Sequence, residues 1–174
     1  MACTQSLSGI AASCETNTGG IREVYICNYT DVEDFEVDST TNMIDTITMA
    51  SSAKFKKYLF KKNTSSMTST LNVDPTSGIN FVQTDLALVF AKQDTTKRLE
   101  IAKLSLGELR VIVLDANGKY WFLGAEEFVA ATAATGETGT NRTDGNRYTI
   151  TLTDYSSSYP YEVDSTLISS IVAA

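Results

Sequence analysis

Period-two alternation constrains this chain more than any other feature of its sequence. INFVQTDLALVFA, residues 79–91, places Val82, Thr84, Leu86, Leu88 and Phe90 at every second position, and RYTITLTDY, residues 147–155, does the same with Tyr148, Ile150 and Leu152. Successive side chains of a strand point to opposite faces, so each stretch predicts a strand with one face against a core. The second face of RYTITLTDY carries Arg147, Thr149, Thr151 and Thr153. Threonine is β-branched and hydrogen-bonds across strands, which makes such a row a contact surface rather than a reactive one.

Shorter strands are predicted at residues 22–29 (REVYICNY), 44–49 (IDTITM), 54–62 (KFKKYLFKK) and 67–73 (MTSTLNV), the last with Met67, Ser69, Leu71 and Val73 inward. Asp74-Pro75-Thr76-Ser77-Gly78 has the composition of a turn, so 67–73 and 79–91 form a hairpin. LRVIVLD and KYWFLGA bracket Ala116-Asn117-Gly118, and Asn-Gly between apolar runs is a strong hairpin signal. In one place the period changes. Asp94 suits a helix N-cap, Leu99, Ala102, Leu106 and Leu109 fall at helical spacing, and Gly107 can stop a helix over about 95–106. Residues 1–20 read as an N-terminal arm, 132–146 as a Gly/Thr-rich loop, and 163–174 as a final strand or docked tail. With no repeated strand–helix–strand unit, the whole predicts a mainly β single domain over 1–174: an antiparallel sandwich or barrel with one flanking α-helix.

Reactive chemistry is sparse. The chain has no histidine, which removes Ser-His-Asp and Cys-His nucleophilic sites. Cys3, Cys14 and Cys27 are odd in number and read as free thiols, and without a fourth Cys or any His they do not compose a closed zinc site. A carboxylate-pair enzyme would have to use Asp115 with Glu126 or Glu127, but acids at hairpin ends are ordinarily solvated, and no enzyme is expected. DANGKYWFLGAE places Asp115, Asn117 and Glu126 at the first, third and twelfth positions of a calcium loop, yet Lys119 at the fifth cannot ligate a cation. No phosphate-cradling glycine motif is present, so no cofactor is expected. The opening residues lack the basic and apolar regions of a secretory signal, and no apolar run is long enough to span a bilayer, so synthesis in a cytoplasm without a membrane span is the expectation.

Charge is unevenly placed. The net charge of −7 disfavours tight nucleic-acid binding over the whole surface. Asp31, Glu33, Asp34, Glu36 and Asp38 crowd one segment, whereas Lys54, Lys56, Lys57, Lys61 and Lys62 crowd another. In a monomer these are solvated surfaces; in an oligomer they can meet across a subunit boundary and set its register.

The strand GIREVYICNYTDV, the segment KFKKYLFKKNTSSMTSTLNVD, the run LSLGELRVIVLDANGKYWFLGAEE and the stretch TGETGTNRTDGNRYTITLTDYSSSYPYEV together resemble a small structural protein of phages of gut Bacteroidetes, crAss-like or related. That type is similar to tail tube and neck or tail ring proteins. The resemblance runs from about Gly20 to Val163, with the acidic segment DVEDFEVDSTTNMID and the C-terminal strand as departures. It implies a β-sandwich or barrel flanked by a helix and joined edge to edge into a homo-oligomeric ring, six or twelve copies, stacked around a channel for the genome. The expected partners are copies of the chain, other tail or neck proteins and DNA passing without specific binding; the expected location is the virion. On that footing Asp31, Glu33, Asp34, Glu36 and Asp38 are candidates for a lumen or stacking surface, since a negative wall lets phosphates slide. Lys54, Lys56, Lys57, Lys61 and Lys62, with Arg147, Thr149, Thr151 and Thr153, are candidates for the subunit interface. The alternative is another virion binding module, a capsid decoration or receptor-reading protein using Trp121 or the Tyr155–Tyr161 segment.

Overall fold

The two alternating stretches pair with each other at the centre of a four-stranded sheet, and a seven-stranded sheet packs on their apolar face. The computed structural model describes residues 7–173; Cys3 and the rest of residues 1–6, like Ala174, lie outside the described part. Its elements in chain order are β1 (Ile21–Asn28), β2 (Val32–Val37), β3 (Met43–Met49), β4 (Lys56–Tyr58), β5 (Ser66–Asp74), β6 (Ile79–Ala91), α1 (Thr95–Leu106), β7 (Leu109–Asp115), β8 (Tyr120–Leu123), β9 (Ala130–Glu137), β10 (Arg147–Ser156), β11 (Tyr161–Val163) and α2 (Ser165–Ile171). The small sheet has the order β5-β6-β10-β9 and the large one β2-β3-β11-β8-β7-β1-β4. The small sheet is antiparallel throughout. In the large sheet β11 and β3 run parallel, and neither sheet closes into a barrel.

Between the sheets, Leu86, Leu88 and Phe90 of β6 and Ile150 and Leu152 of β10 meet Val24 and Ile26 of β1 and Val111 and Val113 of β7. Each such side chain gains roughly 1.5–3 kcal/mol by leaving water. A one-residue slip of β10 would exchange Ile150 and Leu152 for Thr149 and Thr151, so burial fixes the register in which Ile150 faces Leu88. A second core lies on the far face of the large sheet, where Ile112, Phe122 and Tyr25 meet Phe55, Ile44, Val163 and the α2 residues Ile168 and Ile171. The large sheet is thus covered on both faces, which is why Leu109–Val113 is buried without interruption.

Both hairpins form as the sequence predicts. Asp74 turns β5 into β6 by accepting from Thr76 N (2.9 Å) and Ser77 Oγ (2.6 Å). Asp115 turns β7 into β8 by accepting from Asn117 N (2.8 Å) and Lys119 N (2.9 Å), with Gly118 at φ 87°.

Several elements differ from the sequence reading. There are two helices, not one: after Val163 the chain turns at Asp164, whose side chain accepts from Thr166 N (2.8 Å), and Ile168 and Ile171 enter the second core from α2 where a strand or tail was expected. The 132–146 loop begins as β9, paired with β10 through Glu137; its Ala, Thr and Gly side chains bury little, so composition alone hides it. The acidic departure folds into β2 and β3. The strand predicted over 54–62 shortens to Lys56–Tyr58, because Phe55 is drawn into the second core and exchanges backbone hydrogen bonds with Ile171 and Ala173. Leu71 and Val73, expected inward, stay exposed because the β5–β6 hairpin runs past the body. Helix α1 starts at its predicted cap, Asp94 accepting from Lys97 N at 2.8 Å, but it buries Leu104 and part of Ile101 while Leu99 and Leu106 are 50% and 90% exposed. Its apolar residues lie on two sides, so spacing could not choose between them.

Candidate assembly surfaces

The structure prunes both charge blocks. Asp31 caps a single 3-10 turn by accepting from Asn28 N and Nδ2, both at 3.0 Å. Asp38 closes the β2–β3 turn by accepting from Thr41 N (2.7 Å) and Thr40 N (2.8 Å), bonds that hold its carboxyl below the usual carboxylate range. Glu33, Asp34 and Glu36 remain on the exposed side of β2, and none joins an ion pair among the described residues. Of the lysines, Lys57 pairs with Glu23 at 2.8 Å and Lys54 donates to the Ser170 carbonyl. Lys56, Lys61 and Lys62 are exposed and outside every ion pair found among the described residues. Five acids and five lysines thus reduce to three of each, and β2 and β4 are the two end strands of the large sheet.

The threonine row divides in the same way. Thr153 is buried and donates to Asp85 Oδ1 at 2.7 Å; its hydroxyl lies 3.0 Å from Thr132 Oγ1, and Gln83 Nε2 donates to Asp85 Oδ2 at 3.0 Å. Arg147 pairs with Glu137 across the β9–β10 ladder. Thr149 and Thr151 stand half-buried opposite Thr135 and Ala133 on the outer face of the small sheet. Both edges of that sheet are long and almost free of charge: β5 reads SMTSTLNVD and β9 reads AATAATGE, each with a carboxylate only at its last residue. Each pairs on one side alone among the described residues.

The residues considered for catalysis do not converge. Both oxygens of Asp115 serve its own hairpin, Oδ2 accepting from Trp121 Nε1 at 3.0 Å. That bond also holds Trp121 half-buried against the inter-sheet core, away from the exposed position a sugar-stacking role would need. Glu126, beyond the other end of β8, accepts from Ser157 N at 2.9 Å and from its hydroxyl. Among the described residues no group of three or more Cys, Asp or Glu is arranged to hold a metal ion, and no helix is long and apolar enough to cross a membrane. An open cavity of about 450 Å³ beside Gly20, Arg22, Phe60 and Lys62 is lined by neither carboxylate nor thiol. No family model, curated protein or solved structure matches the chain significantly.

Two buried charged side chains, Asp154 and Arg110, escaped the sequence reading. Asp154, 3% exposed, has one oxygen without a partner; burial first, then Glu126 and Glu127, push its carboxyl up to about 6 against the Gly124 N–H. Arg110, 7% exposed, donates to the Val32 carbonyl (3.2 Å), with its guanidinium carbon 4.3 Å from the Tyr29 ring centroid and 5.6 Å from that of Phe35. Cys27 is buried beside it, and burial pushes its thiol up to about 12, so it is an inert core residue. Gly124 makes room for Arg110: a Cβ there would lie 3.1 Å from Arg110 Cγ, and its φ of 89° disfavours any other residue. Only an arginine inside LRVIVLD hinted at this arrangement.

Proposed function

We propose that the chain is a structural subunit that joins copies of itself, edge to edge, into a ring or tube of a phage tail or neck, and that the ring acts as a passive conduit for the genome. The observation that carries this reading is the contrast between the two sheets. Exposed sheet edges invite pairing with another chain, and proteins that stay single blunt them with charge, brevity or cover. The large sheet is blunted in this manner: β2 carries Glu33, Asp34 and Glu36, while β4 is three residues long and Phe55 beside it is taken by the C-terminal tail. The small sheet is blunted less: its edges of nine and eight residues end in a single carboxylate each, β9 has α1 packed beside it, and β5 has no strand on its outer side among the described residues.

Strand count supports a head-to-tail join. With four antiparallel strands, β5 and β9 run in opposite directions, so β9 of one copy meets β5 of an equally oriented next copy as an antiparallel pair. Such heterologous contacts close into rings when their rotation closes. A net charge of −7 suits a channel wall that DNA must slide past. The phage setting and the conduit role rest on the family resemblance.

The test is sedimentation of the purified chain beside a Thr68→Lys/Thr70→Lys variant. Both threonines are exposed on β5, and lysines there blunt the edge. The unmodified chain is expected to sediment as a closed oligomer, and the variant as a folded monomer. An oligomer unaffected by the lysines would overturn the edge-to-edge join.

A further inference from the structure

Resting on that reading, we infer that a second, electrostatic contact fixes the register of the join: Glu33, Asp34 and Glu36 on β2 of one copy face Lys56, Lys61 and Lys62 of the next. After the structure's own turn caps and ion pairs are assigned, these are the acids and lysines of the two blocks left outside both among the described residues, Asp34 accepting only from the adjacent Phe35 N at 2.9 Å. They sit at or just beyond opposite end strands of one sheet. A single copy therefore carries complementary, unspent charges on its two borders, which is the pattern a self-complementary head-to-tail contact requires.

The position of α1 links these borders to the open edges. The helix packs along β9, and its Glu100 accepts from the Tyr58 hydroxyl of β4 at 2.7 Å, so the lysine border and the β9 edge lie on one side of the molecule. By strand order β2 and β5 end the opposite sides of their sheets. Joining β9 to the next copy's β5 therefore turns the lysine border towards the next copy's acidic border. Backbone pairing along two nearly uncharged strands tolerates slippage, since a shift by two residues preserves the faces. Charge matching beside it selects one register. The contact is exposed, so salt weakens it: the screening length falls from about 10 Å near 0.1 M to about 3 Å near 1 M.

Charge reversal with rescue tests the pairing, using the whole chain. Glu33→Lys/Glu36→Lys gives a protein with two basic borders, and Lys61→Glu/Lys62→Glu one with two acidic borders. Each alone is expected to need at least about tenfold higher concentration to assemble, with an unchanged melting temperature. Mixed in equal amounts they alternate, every contact again joins opposite charges, and assembly returns; a quadruple variant with both borders reversed assembles like the unmodified chain. Either reversal assembling as the unmodified chain does, or a folded quadruple variant that stays monomeric, would overturn the pairing while leaving the edge-to-edge join standing. An unmodified chain that stays monomeric overturns both.

Discussion

Asp154 is a buried carboxyl whose placement costs the fold stability at neutral pH. It lies on β10 where the strand passes the loop carrying Glu126 and Glu127, and one of its oxygens has no donor among the described residues. Burial is the main reason its carboxyl is raised to about 6 from an ordinary 3.8, with the two glutamates adding to it. A raised carboxyl value means that the folded state holds the proton more tightly than the unfolded one. Its favourable contribution is therefore complete below about pH 4 and is lost as pH rises through about 6. At about 1.4 kcal/mol per pH unit the loss is on the order of 2–3 kcal/mol. Asp154→Asn should raise the melting temperature at pH 8 and flatten its dependence between about pH 4 and pH 7. Thermal melts of both proteins across that range check this, and a variant less stable than the unmodified chain at pH 8 would contradict it.

Among the elements, α1 shows where local pattern stops informing the fold. Leu104→Ala should cost about 2–5 kcal/mol, as expected when a buried leucine leaves a cavity, whereas Leu106→Ala, 90% exposed, should change stability by less than about 0.5 kcal/mol. Urea unfolding of the two variants measures the difference; equal effects would mean that the helix packs by its other face. The sequence shows Leu99, Ala102 and Leu106 as readily as it shows Ile101 and Leu104, and the face that packs is the one that meets partners distant in sequence: the inter-sheet core and Tyr58, whose hydroxyl donates to Glu100 42 residues away. Strands with large alternating side chains were legible for the opposite reason: Leu86, Leu88, Ile150 and Leu152 admit one buried face only. β9 was illegible because its alanines and threonines bury little and its strand character comes from β10 beside it. The charge blocks were visible as ten residues, but capping by Asp31 and Asp38 and the Lys57–Glu23 pair depend on turns and partners that composition does not reveal. Asp154 and Arg110 were missed because a buried polar group differs from an exposed one only in its surroundings.

At the scale of the whole molecule, charge and brevity blunt the end strands of the large sheet, whereas the small sheet ends on two nearly uncharged strands, β9 with α1 beside it and β5 with no strand on its outer side among the described residues. A double-sided core, with α2 beneath the large sheet and the small sheet above it, holds the large sheet from both faces. Those edges and the charge-bearing borders beside them are the working part of the reading, while Asp115, Glu126 and Cys27 are tied into turns and the core. The most direct test is electron microscopy of the purified chain at low ionic strength, with copies counted in each particle. The account predicts closed rings of about six copies, or twelve, with sheets continuous from one copy to the next. Single molecules at all concentrations, or pairs related by a two-fold axis, would contradict it.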